Sequence, residues 1–337
     1  MTTKSLVTGA RGFVGRHLVA ALAARGDEVT ASDLGPEAPG AGESRYVAVD
    51  LRDDEAVADL VAGHDVVFHN ASVVHTRRTG EDVVWDVNEG GTRRVIAGCR
   101  RHGVPRLVYV SSASAVYEGE DIENGDEAAP YSRISQAAYA DSKIAAEQRV
   151  LAANGDALAT CAIRPHIVFG PGDTRFLPAI LARAKAGRLR VAVGRERKLS
   201  DFTYIDNLID GLLRADTHLQ GPAPVASGKA YFVTNGEPMP FWTFVGKVLH
   251  HLALPPIAFA LPYRFVYALA AVSEKIDELR GRPVGFENGM SRFAIRYMCT
   301  HHYFSIARAG NDLGYAPKVD LDEGIRRTCD HLKAEGF

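Results

Sequence analysis

Cysteine is scarce in this chain and never closely spaced. Cys99, Cys161, Cys299 and Cys329 form no C-x-x-C pair, which argues against a zinc site and a disulfide framework and leaves reduced, structural thiols. A surplus of charge is missing as well. Lys and Arg number 39 against 41 Asp and Glu, a net charge of -2, so no global field steers the molecule to nucleic acid or an anionic bilayer, and a small-molecule partner is favoured. Long hydrophobic runs are absent. The most apolar stretch, Leu252 to Val272, is broken by Pro255, Pro256, Pro262 and Arg264, short of the roughly 20 residues a bilayer span requires. The opening MTTKSLVTGA lacks the charged start and apolar stretch of a secretory signal and predicts a cytoplasmic protein.

What is present is a rhythm. Short β-branched runs at Ser5 to Thr8, Glu28 to Ser32, Tyr46 to Val49, Val66 to His69, Leu107 to Val110 and Ala159 to Ile163 alternate with segments of helical period at Phe13 to Arg25, Asp53 to Val61, Asn88 to His102 and Gln136 to Ala152. This is the pattern of β-α units feeding a parallel sheet covered on both faces, an α/β, Rossmann-type doubly wound fold. From about Gly170 onward, prolines divide the chain into short pieces, which predicts a smaller, mixed α/β C-terminal lobe for the substrate. The expected division is a dinucleotide-binding domain over 1–170, with 200–220 returning to it, and a substrate lobe from 171–199 and 221–337. Within that lobe Phe265, Leu269, Val272, Ile276 and Leu279 recur at spacings of four, three, four and three, giving one apolar helical stripe. The stripe fits a helix packed on the lobe, or a lid over an apolar substrate with peripheral membrane contact; the mixed charges around it disfavour a purely electrostatic anchor.

Gly9-Ala10-Arg11-Gly12-Phe13-Val14-Gly15 follows the first strand and opens the first helix, where backbone N–H groups and the helix dipole hold a pyrophosphate. Asp33 ends the second strand, 18 residues beyond Gly15, in the place of the carboxylate that accepts from adenosine ribose hydroxyls. No arginine follows it immediately to accept a 2'-phosphate, so the cofactor expected is NAD. Asp50 and Leu51 after the third strand are placed to hold the adenine, and Asn70-Ala71-Ser72 after the fourth lets a backbone approach the cofactor.

Tyr139 and Lys143 read Y-x-x-x-K, one turn apart on a helix and on one face. Chance produces such a pair readily; its position after the fifth strand, at the carboxyl edge of the sheet, is what makes it informative. A tyrosine has a pKa near 10, and a nearby cation favours its ionised form, so Lys143 is expected to tune Tyr139 as a general base. A hydroxyl just past the fifth strand completes the set: Ser111, Ser112 and Ser114 compete, and Ser112 is the choice. His250-His251 and His301-His302 invite a metal, but no carboxylate spacing supports one, and none is expected.

With these residues on the page, the chain resembles the extended short-chain dehydrogenase/reductase family, and within it the 3β-hydroxysteroid dehydrogenase and sterol-4-carboxylate 3-dehydrogenase branch. The strings that carry the likeness are YVSSASAVYEGEDIENGDE, YADSKIAAEQRVLAANG, CAIRPHIVFGPGD, DFTYIDNLIDG, AYFVTNGEPMPFWTF and YFSIARAGNDLGYAP. The resemblance implies that Tyr139 is the catalytic base, Lys143 its partner and ribose ligand, and Ser112 a contact to the substrate hydroxyl. It implies cofactor contacts at Gly9, Gly12, Gly15, Asp33, Asp50, Leu51, Ala71 and Asn88, with Pro165 to Val168 beside the nicotinamide. It also implies a homodimer through the helices near Asn88 to His102 and Gln136 to Ala152.

The first expectation is NAD-dependent oxidation of the 3β-hydroxyl of a sterol or steroid, with loss of carbon dioxide if a 4-carboxylate is present. In that event a cation should stand near the substrate, with Arg133, Arg175 and Arg292 as candidates. The alternatives are reduction of a 2-alkyl-3-oxoalkanoate, a nucleotide-sugar epimerase or dehydratase, and a non-catalytic NAD-sensing regulator, the last disfavoured by an intact Tyr139 and Lys143.

Overall fold

The computed structural model describes residues 2–35, 45–74, 81–135, 137–187, 189–194, 198–279 and 292–337. Seven strands make one parallel sheet: β1 Lys4–Thr8, β2 Glu28–Asp33, β3 Arg45–Ala48, β4 Val66–His69, β5 Arg106–Val110, β6 Ala159–Arg164 and β7 Lys229–Phe232. Their order is β7-β6-β5-β4-β1-β2-β3. The helices that matter for the site are α1 Phe13–Arg25, α2 Asp54–Val61, α3 Gly91–His102, α4 Ala138–Ala152, α5 Phe176–Lys185, α6 Ile205–Thr217 and α7 Tyr263–Leu279.

The expected doubly wound sheet is therefore present, and the side-chain alternation of its strands explains why it is covered twice. Val7, Phe68, Val108 and Ile163 face Leu18 and Leu22 of α1 and Leu208 and Leu212 of α6. Leu6, Val67, Leu107 and Tyr109 face the other way, onto Leu60 of α2, Val95 of α3 and Val150 of α4. Each such buried side chain contributes about 1.5–3 kcal/mol relative to exposure, so neither helical layer can detach cheaply.

Three expectations are corrected here. The helix expected over Asn88 to His102 is divided: a short helix Glu81–Trp85 and a π-turn Asp86–Gly90 precede α3, and the π-turn turns Asn88 inward. The lobe boundaries are crossed twice. β7, from the stretch given to the second lobe, pairs with β6 at the edge of the large sheet. Ile122–Gly125, from the stretch given to the first, pairs with His302–Phe304 in a four-stranded mixed sheet that also contains Leu199–Ser200 and Met239–Pro240. These strands are two to four residues long, too short for a period to show in sequence.

The third correction concerns the apolar stripe. α7 buries the opposite face, Val266 and Ala270, against Ile295, while Phe265, Leu269, Val272 and Ile276 are exposed. The side chain of Leu279 lies outside the described residues. Periodicity reveals an apolar face but not what covers it, and this helix has two such faces. No described helix is long and apolar enough to cross a membrane.

β1 leads to β2 on one side and lies beside β4 on the other, so the strand order reverses between β1 and β4. The crevice outside their carboxyl ends is where such sheets bind ligands.

Candidate active site

The glycine loop is shaped by close approach. Gly9 has φ +68°, and a Cβ there would lie 2.7 Å from Ala71 Cα; at Gly15 it would lie 2.1 Å from the Gly9 carbonyl oxygen. Only glycine fits either place. Gly12 is the N-cap of α1, which has no side-chain cap and no acidic residue in its first turn, with Phe13 and Val14 as its first two residues. Those N–H groups are left for an anion. The buried hydroxyls of Ser72 and Ser111, after β4 and β5, have no partner among the described residues. Gly15→Ala is expected to weaken dinucleotide binding by roughly 1–3 kcal/mol through overpacking; titration of NAD into the variant checks this, and wild-type affinity would refute it.

Asp33 is anchored by two backbone donors, Arg11 N–H at 2.9 Å and Leu34 N–H at 2.7 Å. The Arg11 guanidinium reaches the Leu34 carbonyl at 3.5 Å, so a cation stands beside Asp33 that linear spacing did not reveal. Asp50 is clasped by Arg52, with Nη2 at 2.6 Å, which holds its carboxyl below the usual range. An adenine contact at Asp50 therefore shares the carboxylate with Arg52. Leu51 is buried, and a Cβ at Gly91 would meet its side chain at 3.0 Å.

A buried polar chain ties the crevice together. His69 lies between Thr8 Oγ1 at 2.8 Å and Thr92 Oγ1 at 2.9 Å, and Thr92 donates to the Asn88 carbonyl at 2.5 Å. Burial pushes His69 down to about 3, so the ring is neutral. Asn88 accepts from Val73 N–H at 2.7 Å and donates to Ser142 Oγ at 3.0 Å, linking the loop after β4 to α4.

On α4, Lys143 is buried; its ammonium donates to the Val110 carbonyl at 2.5 Å and lies 4.3 Å from the Tyr109 ring centroid. Burial pushes it down to about 7, against the pull of Glu147 one turn on. Tyr139 is half-buried. Its phenol is raised above the usual 10 by burial, and what lowers it is a hydrogen bond with Ser112 and the charge of Arg175. The expectation that Lys143 depresses Tyr139 is corrected accordingly: the ammonium donates to the Val110 carbonyl, and the phenol is lowered by Ser112 and Arg175 instead. Ser112 also accepts from Ser114 N–H at 3.2 Å and Oγ at 2.9 Å, and Ser111 is buried without a bond to Tyr139. Of the three serines, Ser112 is the one that acts on the Tyr139 phenol.

Because Lys143 falls from 10.5 to about 7 on folding, the unfolded chain carries more protons between those values, and stability from this group rises with pH through that window. The wild-type thermal midpoint minus that of Lys143→Met, both without cofactor, is expected to increase between pH 7 and 10.5; a constant difference would refute the shift.

Two groups were not legible in sequence. The Tyr297 hydroxyl lies 3.2 Å from His166 Nε2, and its burial-raised phenol is pushed further by Tyr117 and Tyr139. His166 in turn contacts His302 Nδ1 at 2.7 Å. Between Pro165 and Val168, Ile167 has φ +34°, a strained conformation for a β-branched residue. The Pro165 carbonyl accepts from Ala113 N–H at 3.0 Å and Val168 pairs with Thr203, so this segment is fixed at the carboxyl ends of β5 and β6. Of the paired histidines, His302 is buried, whereas His301 lies with Asp121 and Glu123, ligand atoms within 4.8 Å of one another, Asp121 being paired to Lys198 at 2.6 Å.

Known proteins share this fold and family. A 2-alkyl-3-oxoalkanoate reductase of Stenotrophomonas maltophilia is 40% identical over 96% of this chain and 98% of its own length. The decarboxylating sterol-4-alpha-carboxylate 3-dehydrogenase of Mus musculus is 34% identical over 98% and 92%. The Thermus thermophilus UDP-glucose 4-epimerase complex with NAD superimposes with a TM-score of 0.71 over 98% of this chain and 99% of that one, at 24% identity, a likeness of fold. The model of the 3-beta hydroxysteroid dehydrogenase/isomerase family matches residues 6–262, three quarters of the sequence. The chain belongs to the 3-beta hydroxysteroid dehydrogenase/isomerase family, oxidoreductases acting on CH–OH groups.

Proposed function

We propose that this protein is an NAD-dependent dehydrogenase that oxidises the 3β-hydroxyl of a sterol or steroid to the ketone. The observation that carries the reading is the Tyr139 phenol, one turn from Lys143 on α4, with Ser112, just past the carboxyl end of β5, as the hydroxyl that lowers it. The likeness to sterol-4-carboxylate 3-dehydrogenases supports the substrate class.

NAD, when bound, supplies the hydride acceptor. Gly9, Gly12 and Gly15 would admit its pyrophosphate at the α1 N-terminus, Asp33 would accept from its adenosine ribose, and Asp50, Leu51, Ala71 and Asn88 would line the remainder. Ser112 orients the substrate hydroxyl toward Tyr139. The Tyr139 phenolate takes the hydroxyl proton as the carbinol carbon is oxidised. Lys143, whose ammonium keeps two donors beyond the one on the Val110 carbonyl, stabilises that phenolate.

A second reading, reduction of a 2-alkyl-3-oxoalkanoate in the opposite direction, is favoured by the 40% identity to the Stenotrophomonas reductase. The deciding assay follows NADH formed from a 3β-hydroxysteroid, a 4-carboxysterol, a 2-alkyl-3-hydroxy acid and UDP-sugars. The sterol reading expects turnover of the first two. Turnover of the hydroxy acid alone replaces it with the second reading, and turnover of a UDP-sugar alone overturns both.

A further inference from the structure

The three arginines that sequence leaves equivalent are separated by the fold. Arg292 is committed to Glu274, its backbone N–H at 2.7 Å and Nε at 2.6 Å. Arg133 is an exposed residue whose backbone N–H is held by Glu118 at 2.6 Å. Arg175 differs from both. It is the N-cap of α5, with its backbone N–H on Asp173 Oδ1 at 2.8 Å, and its Nη1 spans to the Val74 carbonyl at 3.0 Å. Val73, next in the chain, is bonded twice to Asn88, which donates to Ser142 beside Lys143. The guanidinium therefore reaches from the second lobe across to the loop after β4, at the mouth of the crevice holding Tyr139. It makes no ion pair among the described residues, and one carbonyl accounts for only one of its five N–H donors. Its charge acts on the Tyr139 phenol, which bears on how close it stands.

An exposed guanidinium held at the loop after β4, which Asn88 ties to α4 beside Lys143, is matched to a planar anion two bonds from the reacting carbinol. We propose that Arg175 binds a carboxylate carried by the substrate carbon adjacent to the reacting CH–OH, which makes the substrate a large apolar β-hydroxy acid, or a β-keto acid in the reverse direction. This rests on the redox reading above and narrows it. A 4-carboxysterol and a 2-alkyl-3-hydroxyalkanoate both carry that unit, whereas a plain 3β-hydroxysteroid does not.

The test compares wild type, Arg175→Met, Arg175→Lys and, as a second exposed arginine, Arg133→Met. Two pairs of probes are used: 2-hexyl-3-hydroxydecanoate against pentadecan-8-ol, and a 4-carboxysterol against its 4-methyl counterpart. The wild type is expected to prefer the acid of at least one pair. Arg175→Met should reduce that preference in kcat/KM by roughly 10- to 100-fold, mostly through KM, as loss of a charge-assisted pair does. Arg175→Lys should restore part of it, and Arg133→Met should leave it intact. An acid preference unchanged in Arg175→Met overturns the proposal.

Calorimetric binding of the preferred acid to the enzyme in the presence of NAD separates this from the parent reading. Acid binding lost in Arg175→Met without turnover by the wild type sustains the anchor and sinks the dehydrogenase. Equal acid binding by both proteins sinks the anchor, whatever the turnover.

Discussion

Tyr139→Phe is expected to lower kcat for the favoured alcohol by roughly 10²- to 10⁴-fold, the usual loss of a positioned general base. NAD affinity and the thermal midpoint should stay close to wild type, because Tyr139 is half-buried and the phenyl ring keeps its packing. The phenol lies above its ordinary value through burial, so the fraction ionised in the free enzyme increases with pH and kcat/KM for oxidation should climb on the alkaline side. Ser112 lowers the phenol by its hydrogen bond. Ser112→Ala should therefore move that limb to higher pH as well as reduce the rate. A phenylalanine variant that retains more than about a tenth of wild-type kcat would remove Tyr139 from the mechanism, and a limb unmoved in Ser112→Ala would remove Ser112 from its tuning.

The second large effect falls on stability. Arg164 and Glu147 have side chains 3% and 0% exposed and are bonded through Arg164 Nε at 3.0 Å and Nη2 at 2.5 Å. Tyr131 adds its hydroxyl to Glu147 at 2.8 Å, and the guanidinium lies 5.3 Å from the ring centroids of both Tyr131 and Phe232. Arg164→Met strands a buried carboxylate and should cost about 3–5 kcal/mol in urea unfolding. Removing both charges in Arg164→Met/Glu147→Leu should recover most of that loss, since the pair's net contribution after desolvation is small. A single variant within about 1 kcal/mol of wild type would show that the pair is not desolvated as described. Glu147 also holds Lys143 up, so the double variant is expected to lower the Lys143 pKa further and to impair turnover more than folding.

Reading from sequence succeeded where local chemistry and position sufficed. The run LVTGARGFVG announces a strand, a tight turn and an uncapped helix because glycine alone tolerates those approaches. Asp33 follows at a strand end, and the Y-x-x-x-K spacing places two side chains on one helical face without any tertiary information. What failed was whatever depended on a distant neighbour. Lys143 was expected to act on Tyr139, yet in the folded chain the Val110 carbonyl takes its ammonium. Tyr297 reaches His166 from far beyond it in the chain, with no motif around it. The apolar stripe of α7 was visible, but its direction was not, because the helix carries Val266 and Ala270 on a second apolar face.

By itself, then, the sequence determined that this is a doubly wound dehydrogenase-like chain with a glycine-lined turn at the first helix and a tyrosine and a lysine on one helical face, since glycine conformation, strand alternation and helical spacing are properties of a few consecutive residues. Only the tertiary structure decided which serine acts on the tyrosine, where the lysine ammonium rests and which arginine reaches the loop after β4. Those choices depend on burial and on partners brought together from separate strands and lobes, and burial is what sets the charge states on which the chemistry turns.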